Sequence, residues 1–186
     1  KKGYLSATID YNEAMKNSEI SFISVGTPSK PDGSADLRYV RSVARMIGEA
    51  LKRERKWHLV VVRSTVPPGT TIDIIGKTIE KISKRTMGYD FGIVMNPEFI
   101  REGNAIYDIF HPSRIIIGEL NRISGDKLLE IYHLLYNGNM PPVIRTSIYN
   151  AELAKYAANV FLAMKISFIT LVARLAEHFP NGDVKE

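Results

Sequence analysis

Glu98, Arg101 and Glu102 stand together in the segment Asn96-Pro97-Glu98-Phe99-Ile100-Arg101-Glu102-Gly103. Two carboxylates four apart around a guanidinium can provide a general base and a charge partner for proton transfer. The plainer alternative is an exposed helical turn with a weak ion pair. Arg63, Ser64 and Thr65 form a second group, followed by Val66-Pro67-Pro68-Gly69-Thr70. Thr70 is a suitable helix N-cap, which leaves Ser64 and Thr65 without a capping role; hydroxyls that both donate and accept suit the positioning of a water or a ribose. Val25, Gly26 and Thr27 form a third, where Gly26 allows the backbone close to a cofactor. That segment can equally be a turn, with Ser34 or Asp36 capping the helix after it. The fourth is Lys155 and Asn159, four apart and hence on one helical face, preceded by Asn150, Ala151 and Glu152. A lysine and an asparagine on an otherwise apolar helix need partners or a task, unless the lysine snorkels at a domain edge.

Positioning these groups falls to elements that the apolar pattern predicts. Strands are expected over 19–25, 58–63, 91–95, 114–118 and 142–145. Between the first two, Leu37, Val40, Ala44, Ile47 and Leu51 step by three and four, the stripe of a helix packed on a sheet. Ile72, Ile75, Ile79 and Ile82 repeat that spacing, and Ser124, Gly125 and Asp126 offer the start of a helix reaching Tyr136. Short β-rich runs alternating with helical periods predict an α/β fold with a parallel sheet. In such a sheet the carboxyl ends of neighbouring strands share one crevice, where three of the polar groups would meet. Residues 151–177 read as one helix, long enough to leave that domain and begin another.

The chain has 186 residues, 45% of them hydrophobic and 24% charged, enough for one full core and part of a second. A net charge of +5 favours anionic partners, from nucleic acid to a phosphorylated metabolite. The densest basic cluster, Lys52, Arg53, Arg55 and Lys56, reads as a solvated helix end. Without cysteine, these residues hold no disulfide, thiolate metal site or cysteine nucleophile. No stretch is expected to reach the roughly 20 apolar residues of a membrane span, so a cytoplasmic enzyme with no membrane partner is the default.

Five blocks occur in order: VGTP, PDGSADL, RSTVPPGT, NPEFIREG with a downstream PSRIIIG, and NAELAKYAANVFLAMKISF. From Ser21 to about Phe168 this resembles the UDP-glucose and GDP-mannose dehydrogenase family. The resemblance implies a partial Rossmann-like, doubly wound parallel sheet over residues 1–146. Residues 147–186 would then be a long connecting helix leading into a helical central domain. A homodimer through that helix is expected because a two-fold interface is the commonest cover for a helix that lacks the domain it should pack against. The resemblance also implies oxidation of a sugar's 6-hydroxymethyl group to a carboxylate with NAD and a covalent cysteine intermediate, UDP-glucose being the first substrate expected and no nucleic-acid partner. By motif, Thr65 would help position the catalytic water and Glu98 would be the general base. Lys155 and Asn159 would contact substrate and stabilise the oxyanion. Ser64 and Glu102 would touch the nicotinamide end of NAD beside Val25, Gly26 and Thr27, and the backbone of Phe99, Ile100 and Arg101 would cradle the sugar and phosphates.

Two family features have no counterpart in these residues: the GxGxxG loop for the cofactor's pyrophosphate and the nucleophilic cysteine. The chain is therefore expected to be an internal piece of a longer enzyme, inactive alone. Two other functions remain open. One is a β-hydroxyacid-type dehydrogenase, whose lysine acts in acid-base chemistry; the other is a noncatalytic nucleotide-binding or interaction module. A glycine-rich loop upstream and a GGSCFPKD-like segment downstream would decide among them. Whether the nucleotide is UDP or GDP, and which sugar it carries, stays open.

Overall fold

A computed structural model describes residues 4–185. The central strands β2 (His58–Val62) and β3 (Phe91–Met95) are buried at every residue, as expected of strands covered on both faces. They pair in parallel, Val60 beside Ile93, and β1 (Ile20–Ile23) joins β2 in parallel, Ile20 beside Leu59. Fully burying each valine or isoleucine in these strands contributes roughly 1.5–3 kcal/mol. On one face lie α2 (Arg38–Leu51) and a π-helical turn, Thr70–Gly76, that runs into α3 (Lys77–Ser83). There Val40, Ala44, Ile47, Ile75 and Ile79 pack on Val60, Val62, Ile93 and Met95. On the other face α5 (Arg122–Tyr136) sets Leu128 and Tyr132 against Leu59, Val61 and Val94.

The expected parallel sheet is present, with one antiparallel junction. Strand β4 (Ile115–Glu119) runs antiparallel to β3, with Met95 beside Gly118, while β5 (Val143–Thr146) is parallel to β4. The β3–β4 connection contains only the short helix α4 (Ala105–Phe110), none of whose residues is buried, so no crossover helix packs on a face of the sheet to return the chain in parallel. Because β4 and β5 descend, the helix after β5 climbs back past the carboxyl ends of β2 and β3. That helix, α6 (Ile148–Ala176), has 29 residues and rises about 44 Å at ~1.5 Å per residue. It approaches β4 closely: a Cβ on Gly118 would lie 2.5 Å from Ala151 Cβ and 3.0 Å from Ile148 Cα.

Other differences from the sequence expectations are local. Helix α5 begins at Arg122, not Ser124, because Asn121 caps it by accepting a hydrogen bond from the Ser124 amide. Thr70 is not an N-cap; Gly69, at φ 91°, holds that place and has no side chain to cap with. Two short helices, α1 (Tyr11–Lys16) and α4, escape the pattern because six residues are under two turns of periodicity. The expected absence of a membrane-length apolar stretch is also corrected, since α6 contains an 18-residue window of mean hydropathy 1.6. Isolated charges such as Lys165 interrupt an apolar run without lowering that mean much. Only the start of α6 is buried here; Phe161, Ile166, Phe168 and Leu171 are each more than half exposed.

Candidate functional site

The carboxyl ends of β1, β2 and β3 carry the polar loops, and side chains stitch the loops together. The Ser64 hydroxyl accepts from the Val25 amide at 2.8 Å and donates to the Val25 carbonyl at 2.7 Å. The Thr27 hydroxyl donates to the Thr65 carbonyl at 2.7 Å. Thr65 itself is half-buried and its hydroxyl makes no hydrogen bond among the described residues. A Cβ added at Gly26 would meet nothing within 4 Å, which leaves the face of this loop open to a flat ring. These features fit the nicotinamide end of NAD. A cradle for its pyrophosphate is not among the residues at these strand ends.

After β3, Asn96 is buried and accepts from both Arg63 (2.8 Å) and the Tyr132 hydroxyl, while its own amide donates to the Ile116 carbonyl at 2.9 Å. The NPEF segment thus starts from an immobilised residue. Glu98 follows, with Oε2 accepting from the Ile100 amide at 2.6 Å and Oε1 facing Lys155 Nζ at 2.9 Å. Partial burial raises the Glu98 pKa, but the Ile100 amide and the Lys155 ammonium outweigh it and hold the carboxyl below its ordinary range. Lys155 is buried, its ammonium also lying 5.2 Å from the centre of the Phe99 ring. Arg114 stacks on the same ring at 4.5 Å.

Thr65, Glu98 and Lys155 therefore belong to elements that meet at one end of the sheet. Asn159 lies one helical turn beyond Lys155 and is exposed. Glu102 is exposed in a turn and pairs with nothing among the described residues; Arg101 pairs with Asp108 at 2.7 Å, not with Glu98 or Glu102. The segment from Asn96 to Asn104 is not helical, so the helical-turn alternative does not hold. The Ile100 amide is bound by Glu98, and the Arg101 amide by Asp108 at 2.8 Å. An anion using those amides would have to displace both carboxylates. A cleft of about 580 Å³ opens between this loop, Arg114 and α5, lined by Glu98 and Phe99 but not by Lys155.

Sequence reasoning left three contributors without a role: Asn96, Tyr132 and Glu152. Glu152 had a usable signal, an acidic residue on an apolar helix three positions before Lys155. Tyr132 had none, because its partner Asn96 is brought near only by the sheet.

Residues 1–136 match the UDP-glucose/GDP-mannose dehydrogenase family, NAD binding domain, and residues 149–186 match that family's central domain. The chain belongs to this family. A GDP-mannose 6-dehydrogenase of Pseudomonas aeruginosa is 44% identical over 175 residues, covering 94% of this chain and 39% of the relative. A UDP-glucose 6-dehydrogenase of Haloferax volcanii is 42% identical, covering 94% of this chain and 41% of the relative. The crystal structure of a ternary complex of GDP-mannose dehydrogenase from Pseudomonas aeruginosa superimposes with a TM-score of 0.89 at 44% identity, over 94% of this chain and 39% of that one. The chain thus spans about two-fifths of the length of these family members. Its Rossmann-type sheet is the family's NAD-binding domain.

Proposed function

We propose that this chain supplies the nicotinamide-end contacts and four acting residues of a nucleotide-sugar 6-dehydrogenase, with UDP-glucose and GDP-mannose as the candidate substrates. The carrying observation is the 2.9 Å pair between Lys155 and Glu98 at the strand ends that hold Thr65. Bound NAD would accept hydride from the sugar's C6. Val25, Gly26 and Thr27 would shape the nicotinamide seat, with Ser64 acting through Val25 by fixing its backbone and Glu102 reaching in from its turn.

In this reading Thr65 orients a water and Glu98 takes its proton. A carboxylate paired to an ammonium is a weakened base, so Lys155 must leave Glu98 as it turns to the oxygen where negative charge develops. Asn159 adds an amide donor one turn along. Substrate phosphate oxygens taking the Ile100 and Arg101 amides would release Glu98 from its other restraint, and Phe99 would pack on the sugar. The exposed apolar part of α6 would be covered by a second copy of the enzyme and the remainder of its helical domain; the domain change falls near residue 147.

Oxidising CH2OH to a carboxylate removes four electrons, consumes one water and yields two NADH per sugar, whereas a β-hydroxyacid-type reaction yields one. The test is NADH formed per nucleotide sugar consumed by the full-length enzyme, across a panel of UDP and GDP sugars. Two equivalents with UDP-glucose or GDP-mannose support the reading. One equivalent, or no turnover with any nucleotide sugar, overturns it.

A further inference from the structure

Glu152 is fully buried on α6, and no role proposed above uses it. Its Oε2 accepts from the Gly69 amide at 2.6 Å and its Oε1 from the Thr71 amide at 2.7 Å. Those amides open the continuous helical run that starts at Thr70, where donors lack intrahelical partners and the helix dipole is positive. The residue in the capping position is Gly69, which cannot cap. Glu152 supplies that function from 83 residues away. Burial raises its pKa, while the Thr71 and Gly69 hydrogen bonds act against that rise.

We propose that Glu152 is a positioning residue, setting how deeply α6 seats against the loop after β2 and so delivering Lys155 to Glu98. Both sides of the contact lead directly to the site. Gly69 closes the loop that begins with Ser64 and Thr65, and Lys155 follows Glu152 by three residues on the same helical face. Two further contacts at this seam limit how α6 can move. The Tyr149 hydroxyl donates to Asp73 Oδ2 at 3.0 Å, and Gly118 lets Ala151 sit against β4. With α6 held at Tyr149 and Ala151, loss of the Glu152 tie leaves the helix attached but free to rock by a fraction of a turn. A small displacement at Glu152 is carried rigidly to Lys155, one turn farther along.

Catalytic consequences of this positioning rest on the reading of Lys155 as an acting group, so the test separates the two. Glu152→Gln keeps the size and one acceptor oxygen, but places an amide donor against a backbone donor. In this chain, NMR should show the folded spectrum retained and the Gly69 or Thr71 amide resonance displaced. The Glu98 carboxyl should titrate closer to the ordinary glutamate range, because Lys155 no longer reaches it. In the full-length enzyme, kcat should fall roughly 10-fold or more with KM for the nucleotide sugar little changed, the usual result of misplacing a reacting group by under an ångström. Glu152→Asp, which restores the charge at a shorter reach, should recover part of both losses. If Glu98 titrates in Glu152→Gln as it does in the parent chain, the positioning role is overturned. If the Glu98 titration moves while kcat does not, positioning stands and the catalytic assignment of Lys155 fails. Glu152→Ala, which removes both acceptors, is the more disruptive variant, and Glu152→Gln decides.

Discussion

Lys155 Nζ stands 2.9 Å from Glu98 Oε1, joining the long helix α6 to the loop after β3. One partner is buried and the other about a quarter exposed, so the pair is shielded from solvent and salt more than a surface ion pair is.

Replacing Lys155 by alanine in the full-length enzyme should lower kcat by roughly 10² to 10³, the effect of losing one donor to a developing oxyanion. Steady-state kinetics by NADH absorbance reads it. A fall below tenfold would mean that Lys155 only anchors Glu98.

Glu98→Gln should permit the first hydride transfer and slow the hydrolytic half of the reaction, because an amide does not accept water's proton. A covalent sugar adduct on the full-length enzyme should then accumulate under turnover and be visible by mass spectrometry. Normal rates with no adduct would remove Glu98 as the base.

His58 gives an acid sensitivity unrelated to catalysis. Burial lowers its pKa to about 4, and its Nε2 lies 2.8 Å from the Ser21 hydroxyl. The folded chain therefore keeps the ring neutral while the unfolded chain protonates it near 6.5. The stability is fully present above that pH and is lost as pH falls toward 4, by about 2 kcal/mol between pH 7 and pH 5. Urea unfolding at those two pH values measures it, and His58→Gln should flatten the difference. An equal pH slope in both proteins would contradict it.

Gly118 should tolerate no side chain, since even a Cβ would lie 2.5 Å from Ala151 Cβ and 3.0 Å from the Ile148 backbone. Gly118→Val should cost roughly 1–3 kcal/mol through overpacking, measured by thermal or urea unfolding. It should also shift the Glu98 titration by lifting α6. No change in either would show that the seam repacks freely.

Purified alone, this chain should form a dimer at micromolar concentration, because α6 leaves Phe161, Ile166, Phe168 and Leu171 exposed and a two-fold interface is the commonest cover for such a surface. Sedimentation velocity reads it, and a stable monomer refutes it. With no GxGxxG loop to hold the NAD pyrophosphate and no cysteine to form the covalent intermediate among its residues, the chain should also produce no NADH from any nucleotide sugar.

All five strands and the α2 stripe were legible because they follow simple periods: LVVV and FGIVM are unbroken runs without a charged or polar side chain, and Val40, Ala44 and Ile47 recur on one helical face. The direction of β4 was not, since IIIGE reads the same whichever way it runs. Among the site residues, Lys155 and Glu98 stood out as charges in apolar surroundings, but their pairing is a tertiary fact. Arg101 showed the limit most clearly: two glutamates flank it in sequence, yet Asp108 holds it because the loop turns back at Gly103, φ 83°. The tie from Glu152 to Gly69 was invisible for the same reason, and the sequence suggests Thr70 as a cap only because capping is judged from near neighbours.

The reversal at β4 also sets the order in which the chain can become competent. The loops carrying Thr65 and Glu98 leave the ribosome well before Glu152 and Lys155, and can close on a sheet of three strands. Contacts spanning so much sequence form late, after local helices and neighbouring strands have already ordered. Until β5 has been laid down and α6 has turned back, Glu98 has no ammonium beside it and the Gly69 and Thr71 amides have no carboxylate. A nascent or partly folded chain therefore carries the Thr65 and Glu98 loops without the Lys155 ammonium that the proposed reaction requires, and α6 must dock before those loops have their full complement of charges.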